Sequence, residues 1–365
     1  MNELDNKRKE INELDEQIAK LFEQRMKCAS SVAEYKLKHS IPILDSSREI
    51  EVINRNKEFI EDDIIKEYYV NFIKETMNLS KKYQSRLLNG MKVAYSGVEG
   101  AFAHNAAIRM FPNANYIPYA SFNAAYNAVV NGECDTCVLP LENSYAGEVW
   151  LVMDLVFSGD LYINQVIEIE IVHNLLAKKG ANLKDIKTVI SHQQALNQCN
   201  DYLSKKGFVL KEAQNTAVAA KMVAESNQDD IAAIASVDTA KLYDLDILES
   251  NINANFNNTT RFAAFSRCLN TESKKDKMGQ HFVLVFTVKN EAGALAKTLN
   301  IIGSHGFNMR NLRSRPMKEL IWNYYFYVEL DGDINTKEGK DMLRALSIFC
   351  DKLKLVGTYT HKVER

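Results

Sequence analysis

No stretch of this sequence approaches the roughly 20 consecutive apolar residues that a membrane-spanning helix needs. A signal peptide is missing too: the opening residues, MNELDNKRKEINELDE, are dense in charge and have no apolar core. The chain is therefore read as a soluble, cytoplasmic protein with no membrane partner. Charge of one sign is also lacking. Lys and Arg total 45 against 47 Asp and Glu, a formal net charge of −2, without the basic bias that marks a nucleic-acid binder. Paired cysteines are scarce. Of Cys28, Cys134, Cys137, Cys199, Cys268 and Cys350, only Cys134 and Cys137 are close, and no second pair completes a tetrahedral zinc site. Cys137 opens an apolar run, CVLPL, that reads as a buried strand, so these thiols are read as structural and reduced. No tandem repeat or low-complexity tract is present.

What is there is enough apolar material for several cores: 46% of 365 residues are hydrophobic and 25% charged, and two or three domains are expected. Residues 2–86 carry helical periodicity, interrupted near Pro42 and near Glu61-Asp62-Asp63. From Met91 to about Arg267, short β-rich runs alternate with helical ones, which predicts an α/β module with a mostly parallel sheet. A polar stretch at 270–277 reads as a linker. The last segment predicts a strand over 281–288, a helix from about Gly293 to Ser304, strands at 309–315 and 324–330, a helix from Lys337 to about Leu353, and a closing strand LVGTYT. That order, βαββαβ, is ferredoxin-like.

The first helix, predicted over Glu3 to Lys38, would be ~50 Å long, too long for a domain of this size to cover alone. Ile11, Ile18, Phe22, Ala29 and Val32 form a packing seam along it, which calls for a partner helix from a second chain. Arg8, Arg25 and Lys36 fall in the register of that seam. A single cation there can snorkel or set register. Three of them, followed by Asp45, Arg48 and Glu49, point instead to an internal pocket for a small anion, because cations in a dry seam are costly unless neutralised.

With Ser80-x-x-x-Gln84, this set resembles the all-helical chorismate mutases. The resemblance implies an intertwined dimer in which Arg25, Lys36 and Arg48, with Arg8 of the other chain, hold the two carboxylates of chorismate. It further implies Lys36 and Gln84 at the ether oxygen and Glu49 at the ring hydroxyl, with Asp45 and Ser80 completing the site. The stretch from Glu49 to Ser80 is shorter than in well-known members. The chemistry suits these residue types, since a pericyclic rearrangement needs a fixed conformer and charge stabilisation rather than a nucleophile.

In the middle module several loops lie between a strand and a helix, where backbone N–H groups can meet an anion. They are Ser96-Gly97-Val98-Glu99-Gly100, Ser191-His192-Gln193-Gln194 and Asn215-Thr216-Ala217. Taken alone, Thr216 reads as a helix N-cap, Glu142 as a loop carboxylate and His192 as a loop histidine. In order, with Glu142-Asn143-Ser144 and Thr259-Thr260-Arg261-Phe262, these segments resemble prephenate dehydratase over nearly all of 92–267. The resemblance implies two α/β lobes, like bacterial solute-binding proteins, with substrate in the cleft. The first would hold 92–168 and 252–267, the second 169–251. It implies conversion of prephenate to phenylpyruvate, with Thr260 at the departing hydroxyl, working by hydrogen bonding and proton relay. Glu142, Asn143, Ser191, His192 and Gln198 join it as catalytic candidates. Ser96, Gly100, Thr216, Arg261 and Phe262 are the substrate-binding candidates, Arg261 supporting a carboxylate or the local fold. Two departures are Gln193 in place of the usual proline and Gly-Val-Glu-Gly in the first loop.

In the C-terminal module, Gly293-Ala294-Leu295 at a helix start and Ser314-Arg315-Pro316 at a strand end resemble an ACT regulatory domain. That implies phenylalanine as effector at a dimer interface. Arg313 stands where the family commonly has glutamate, replacing a carboxylate that would meet the effector's ammonium. The expected fold class is thus multidomain: an all-α three-helix module over 1–88, a two-lobed α/β module over 92–267 and an α+β ferredoxin-like module over 281–365. The expected protein is a bifunctional chorismate mutase and prephenate dehydratase, a homodimer or higher homo-oligomer needing no cofactor or metal. The competing readings are an arogenate-preferring dehydratase and a non-catalytic aromatic-acid sensor.

Overall fold

Residues Glu3–Lys38 form one uninterrupted helix, α1, in the computed structural model, which describes residues 2–39, 41–43, 45–254, 258–270, 279–317 and 324–363. Asn2 starts it by accepting the Asp5 N–H at 2.8 Å, while the Asp5 carboxylate receives the Asn2 N–H. Helix α2 spans Ser46–Lys57, capped by Asp45, and α3 spans Asp63–Asn89. Asp62 opens α3 by accepting two backbone N–H groups, and Gly90, at φ 79°, ends it. Helix α3 buries Ile73, Thr76, Met77, Ser80 and Gln84, whereas α1 buries only Ala33. Leu4, Ile11, Leu14, Ile18 and Leu21 on α1 are each half exposed or more. These three helices make up the first of two units, Met1–Met91 and Lys92–Arg365.

The second unit begins as alternating strands and helices: β1 (Lys92–Ser96), α4 (Phe102–Met110), β2 (Asn115–Tyr119), α5 (Phe122–Val130), β3 (Thr136–Asn143), β4 (Gly147–Glu148), α6 (Trp150–Ser158) and β5 (Tyr162–Glu170). The chain then crosses into a second lobe of β6 (Asn174–Ala177), β7 (Thr188–Ser191), α7 (Gln193–Gln198), α8 (Asn200–Lys206), β8 (Val209–Glu212), α9 (Thr216–Glu225), β9 (Ile231–Ala235), α10 (Val237–Leu242) and β10 (Asp246–Glu249). It returns through β11 (Thr259–Ser266), which lies between β3 and β5 and runs antiparallel to both. The second lobe holds a five-stranded sheet, β10-β6-β9-β7-β8, in which β6 is also antiparallel to its neighbours. Both sheets are therefore mixed, not mostly parallel as the alternation alone suggested. A strand returning from the far lobe enters in the reverse sense.

The two crossover segments are tied to each other. The Ile171 N–H donates to the Asn258 carbonyl at 2.7 Å and the Ile252 N–H to the His173 carbonyl at 2.9 Å. The Asn253 side chain accepts the His173 N–H and donates to the Ile171 carbonyl.

The C-terminal module comprises β12 (Gln280–Val288), α11 (Ala294–Ser304), β13 (Met309–Pro316), β14 (Tyr324–Asp331), α12 (Lys337–Phe349) and β15 (Cys350–Val363). The order matches βαββαβ, but β15 starts earlier than expected. Leu353 and Leu355 pair with Phe286 and Leu284 on β12, so ladder pairing overrides the helical pattern at the end of α12. The expected linker at 270–277 lies outside the described residues beyond Asn270. Strand β12 separates two cores by its period of two. Phe282, Leu284 and Phe286 face Ile302, Met342 and Leu346 of the two helices. Val283 and Val285 join the core of the first lobe. Strand β15 also pairs in parallel with β5, so one ten-stranded sheet runs from the C-terminal module through the first lobe. Gly357 makes that join possible, because a Cβ there would sit on the Ile163 carbonyl. Among the described residues no helix is long and apolar enough to cross a membrane.

Candidate active site

The helical unit brings Arg25, Ser80 and Gln84 together. The Arg25 guanidinium donates to the Ser80 hydroxyl and, at 3.4 Å, to the Thr76 carbonyl. Gln84 lies one turn beyond Ser80, and its buried Oε1 has no partner among the described residues. Lys36 donates to the Ile43 carbonyl at 2.7 Å. Among the described residues neither Arg25 nor Lys36 forms an ion pair, so both keep charge available for an anion. Glu49 pairs with Lys81 at 2.8 Å, a residue that sequence reasoning missed. Arg48 pairs with Glu51 on the exposed side, and Asp45 caps α2 by accepting the Arg48 N–H at 3.0 Å. Arg8 is exposed and lies 17 residues from Arg25 along α1, about 26 Å at 1.5 Å per residue. Within one chain, Arg8 cannot reach the Arg25 pocket.

The second site is a cavity of about 630 Å³ between the two α/β lobes. Ser96, Asn143, His192, Gln198, Thr216, Thr260 and Phe262 line it, as the sequence placed them. Four expected residues do not. Ser191 donates to the Ile234 carbonyl at 2.8 Å and is wholly buried in its lobe. Gly100 packs against Leu242 and Thr239 of α10. Glu142 and Arg261 face the C-terminal module. The Arg261 guanidinium makes a two-pronged ion pair with Glu329, at 2.9 and 3.0 Å, and donates to Tyr359 at 3.1 Å and to Glu142 at 3.4 Å. Burial works against that charge, but Glu329 outweighs it and holds the Arg261 pKa above its ordinary value. Those donors are committed within the protein, and Arg261 is not among the residues lining the cavity. Thr216 is the first residue of α9, not its cap; Asn215 caps it, accepting the Val218 N–H at 2.8 Å.

Among the described residues no Lys, Arg, Asp or Glu lines the cavity. The positive ends of α4, α5 and α9 meet there instead, through Ala101-Phe102-Ala103, Ser121-Phe122-Asn123 and Asn215-Thr216. Such helix starts offer free N–H groups and a partial positive charge to carboxylates.

At the floor of the cavity a polar chain has its donor directions fixed by the backbone. The Tyr145 and Ala146 N–H groups donate to one end of the Asn143 amide, at 3.0 and 2.9 Å, so that end is the oxygen. Its NH2 therefore donates, at 2.8 Å each, to the Thr260 hydroxyl and to Asn258. The Asn258 NH2 then donates to Gln198 Oε1 at 3.0 Å, and that oxygen also takes the His173 Nε2–H at 2.8 Å. Because Thr260 accepts from Asn143, its own proton is free to be donated. Asn143 and Thr260 are register partners on β3 and β11, and the register shifts where Phe262, two residues on along β11, meets Pro140, three residues back along β3. Proline cannot donate to the ladder, and such bulges re-aim side chains beside sites. Asn258 and His173 were missed in the sequence; a histidine inside the apolar run Ile171–Ala177 was the available signal.

In the C-terminal module, Gly293 starts α11 at φ 81°, a left-handed conformation that favours glycine, followed by Ala294 and Leu295. Ser314, Arg315 and Pro316 end β13. Arg315 is engaged with Asp154 at 2.6 Å and lies 4.8 Å over the Trp150 ring. Arg313 pairs with Glu148 at 2.6 Å and Glu142 at 3.4 Å. Burial pushes the Glu148 carboxyl up, and Arg313 opposes that shift.

Three family models match the chain in order: Chorismate mutase type II over residues 7–85, Prephenate dehydratase over 93–269 and ACT domain over 282–347. A Bifunctional chorismate mutase/prephenate dehydratase of Aquifex aeolicus is 31% identical over 98% of both chains. The chain belongs to the bifunctional chorismate mutase/prephenate dehydratase family. Arogenate dehydratase/prephenate dehydratase 2 of Arabidopsis thaliana is 33% identical, over 74% of this chain and 72% of that one. Among solved structures, the prephenate dehydratase of Arthrobacter aurescens in complex with L-Phe superposes with a TM-score of 0.68 at 26% identity, covering 74% of this chain and 89% of that chain. As a member of this family the chain combines a mutase module, a dehydratase module and an ACT domain, and it is an enzyme of phenylalanine biosynthesis.

Proposed function

We propose that the helical unit rearranges chorismate to prephenate and that the cavity between the lobes then converts prephenate to phenylpyruvate. The observation that carries the second step is Thr260. Its hydroxyl is held by Asn143 at 2.8 Å with its proton free, in a cavity that offers anions helix N-termini and, among the described residues, no lysine or arginine. In that step the bond from ring carbon to carboxylate breaks, its electrons complete the aromatic ring, and hydroxide leaves with the proton it needs. Thr260 donates a hydrogen bond to the departing oxygen, where negative charge develops. One proton is taken up overall, and the products are carbon dioxide, water and phenylpyruvate. The N–H groups starting α4, α5 and α9 receive the two carboxylates.

The mutase site draws Arg25, Lys36 and Gln84 from one chain and Arg8 from a second, which places two copies along the exposed apolar stripe of α1 in a cytoplasmic homodimer. Phenylalanine at Gly293–Leu295 and Ser314–Pro316 regulates the dehydratase. The Arabidopsis relative's name makes arogenate the substrate to compare with prephenate. Purified protein given chorismate, prephenate and arogenate in turn tests this reading. Phenylpyruvate from the first two supports it. Phenylalanine from arogenate, at a higher rate than phenylpyruvate from prephenate, reassigns the substrate. No turnover of any of them leaves an aromatic-acid sensor.

A further inference from the structure

His173 is a cavity residue whose chemistry the dehydratase reading has not used. It sits where the first crossover enters the second lobe, only 2% exposed, and it lines the cavity. Its ring Nδ1 is buried and has no hydrogen-bond partner among the described residues. The chain of amides that begins at the Tyr145 and Ala146 N–H groups fixes its tautomer: Gln198 Oε1 can only accept, so Nε2 carries the proton and Nδ1 carries a lone pair. An unpaired buried acceptor is costly, and in a ligand site a donor on the ligand can satisfy it. Phe102, edge-on at 6.1 Å between ring centroids, helps hold the imidazole.

Prephenate has two carboxylates, a ketone and one hydroxyl. The hydroxyl is its only hydrogen-bond donor. We propose that His173 is a substrate-contacting residue of the dehydratase whose Nδ1 accepts the hydrogen bond of the ring hydroxyl that leaves. Thr260, with a free proton, donates to the same oxygen. The pair fixes the rotation of the C–OH bond, so that a lone pair of the leaving group faces Thr260 before the bond breaks. The inference rests on the dehydratase reading and adds the residue that distinguishes the hydroxyl from other ring substituents.

Two unreactive ring-reduced analogues of prephenate, one bearing the hydroxyl and one lacking it, test the contact as inhibitors of the full-length protein. The unsubstituted protein should bind the hydroxyl form about tenfold more tightly. His173→Phe should lose that preference. His173→Gln, which keeps a neutral carbonyl acceptor, should retain part of it. In both variants mutase activity and the far-ultraviolet circular dichroism should be unchanged, which separates a lost contact from a lost fold. A hydroxyl preference that survives in His173→Phe overturns the proposal, as does the absence of any preference in the unsubstituted protein. Should His173→Phe not fold, His173→Gln and the acid side of the prephenate kcat/KM profile decide the matter. An imidazolium cannot accept, so kcat/KM should fall as pH drops in the unsubstituted protein and stay flat in His173→Gln. His192 is the other histidine lining the cavity, and a fall that persists unchanged in His173→Gln while His192→Gln removes it also overturns the proposal. If the unsubstituted protein does not turn over prephenate at all, the dehydratase reading itself fails.

Discussion

Thr260 and Asn143 face each other across two strands, and the direction of the hydrogen bond between them decides what the threonine can do. Since Asn143 donates, Thr260→Ala should lower dehydratase turnover at least a thousandfold while leaving mutase activity within a factor of two. Thr260→Ser keeps the donor and should retain measurable activity. Coupled assays on prephenate and chorismate read both. Asn143→Asp would turn the donor into an acceptor and set a carboxylate against Asn258 Oδ1, and a loss of at least a hundredfold in dehydratase kcat is expected. These residue types were legible in the sequence because the Glu-Asn-Ser and Thr-Arg-Phe segments stand out. Their roles were less legible. Arg261 adjoins Thr260 in sequence, but strand alternation turns it to the opposite face, where Glu329, 68 residues away, claims it. Nothing local to Arg261 announces that partner.

At the scale of elements, the join of β15 to β5 and the ion pairs around Arg261 tie the ACT domain to the strand that bears Thr260. Glu329 is 2% exposed, and its carboxyl is pulled below its ordinary value by Arg261 even though burial pushes it up. Removing one partner of such a pair strands a buried charge, so Glu329→Ala should destabilise the second unit by about 3 to 5 kcal/mol. Equilibrium urea unfolding followed by tryptophan fluorescence measures it, because both tryptophans of the sequence fall within the second unit. The βαββαβ order was readable from hydrophobic patterning, because each element obeys its own period. The parallel pairing of β15 with β5 was not, since pairing between strands nearly 200 residues apart leaves no local pattern. The start of β15 was likewise hidden, because helical periodicity continues past Phe349 until the β12 ladder overrules it.

For the whole molecule, buried imidazoles set an acid limit. His104, His173 and His281 are each held below the ordinary value of 6.5, first by burial. In the folded state they bind fewer protons than the unfolded chain does between their lowered values and 6.5. The stability they contribute is therefore complete above pH 6.5 and is lost as pH falls below it. Glu329 acts lower down, its share kept until pH falls below 4.5. The urea midpoint of the second unit should thus drop between pH 7.5 and 5.5, and His173→Gln should reduce that drop.

Two chemistries in separate units of one chain, each with its own residues, is the central claim. Steady-state rates on chorismate and on prephenate, measured for Arg25→Ala and Thr260→Ala in the same full-length protein, test it most directly. Arg25→Ala should lose mutase activity at least a hundredfold and keep the dehydratase, while Thr260→Ala should do the reverse. Equal loss of both activities in either variant would contradict the account.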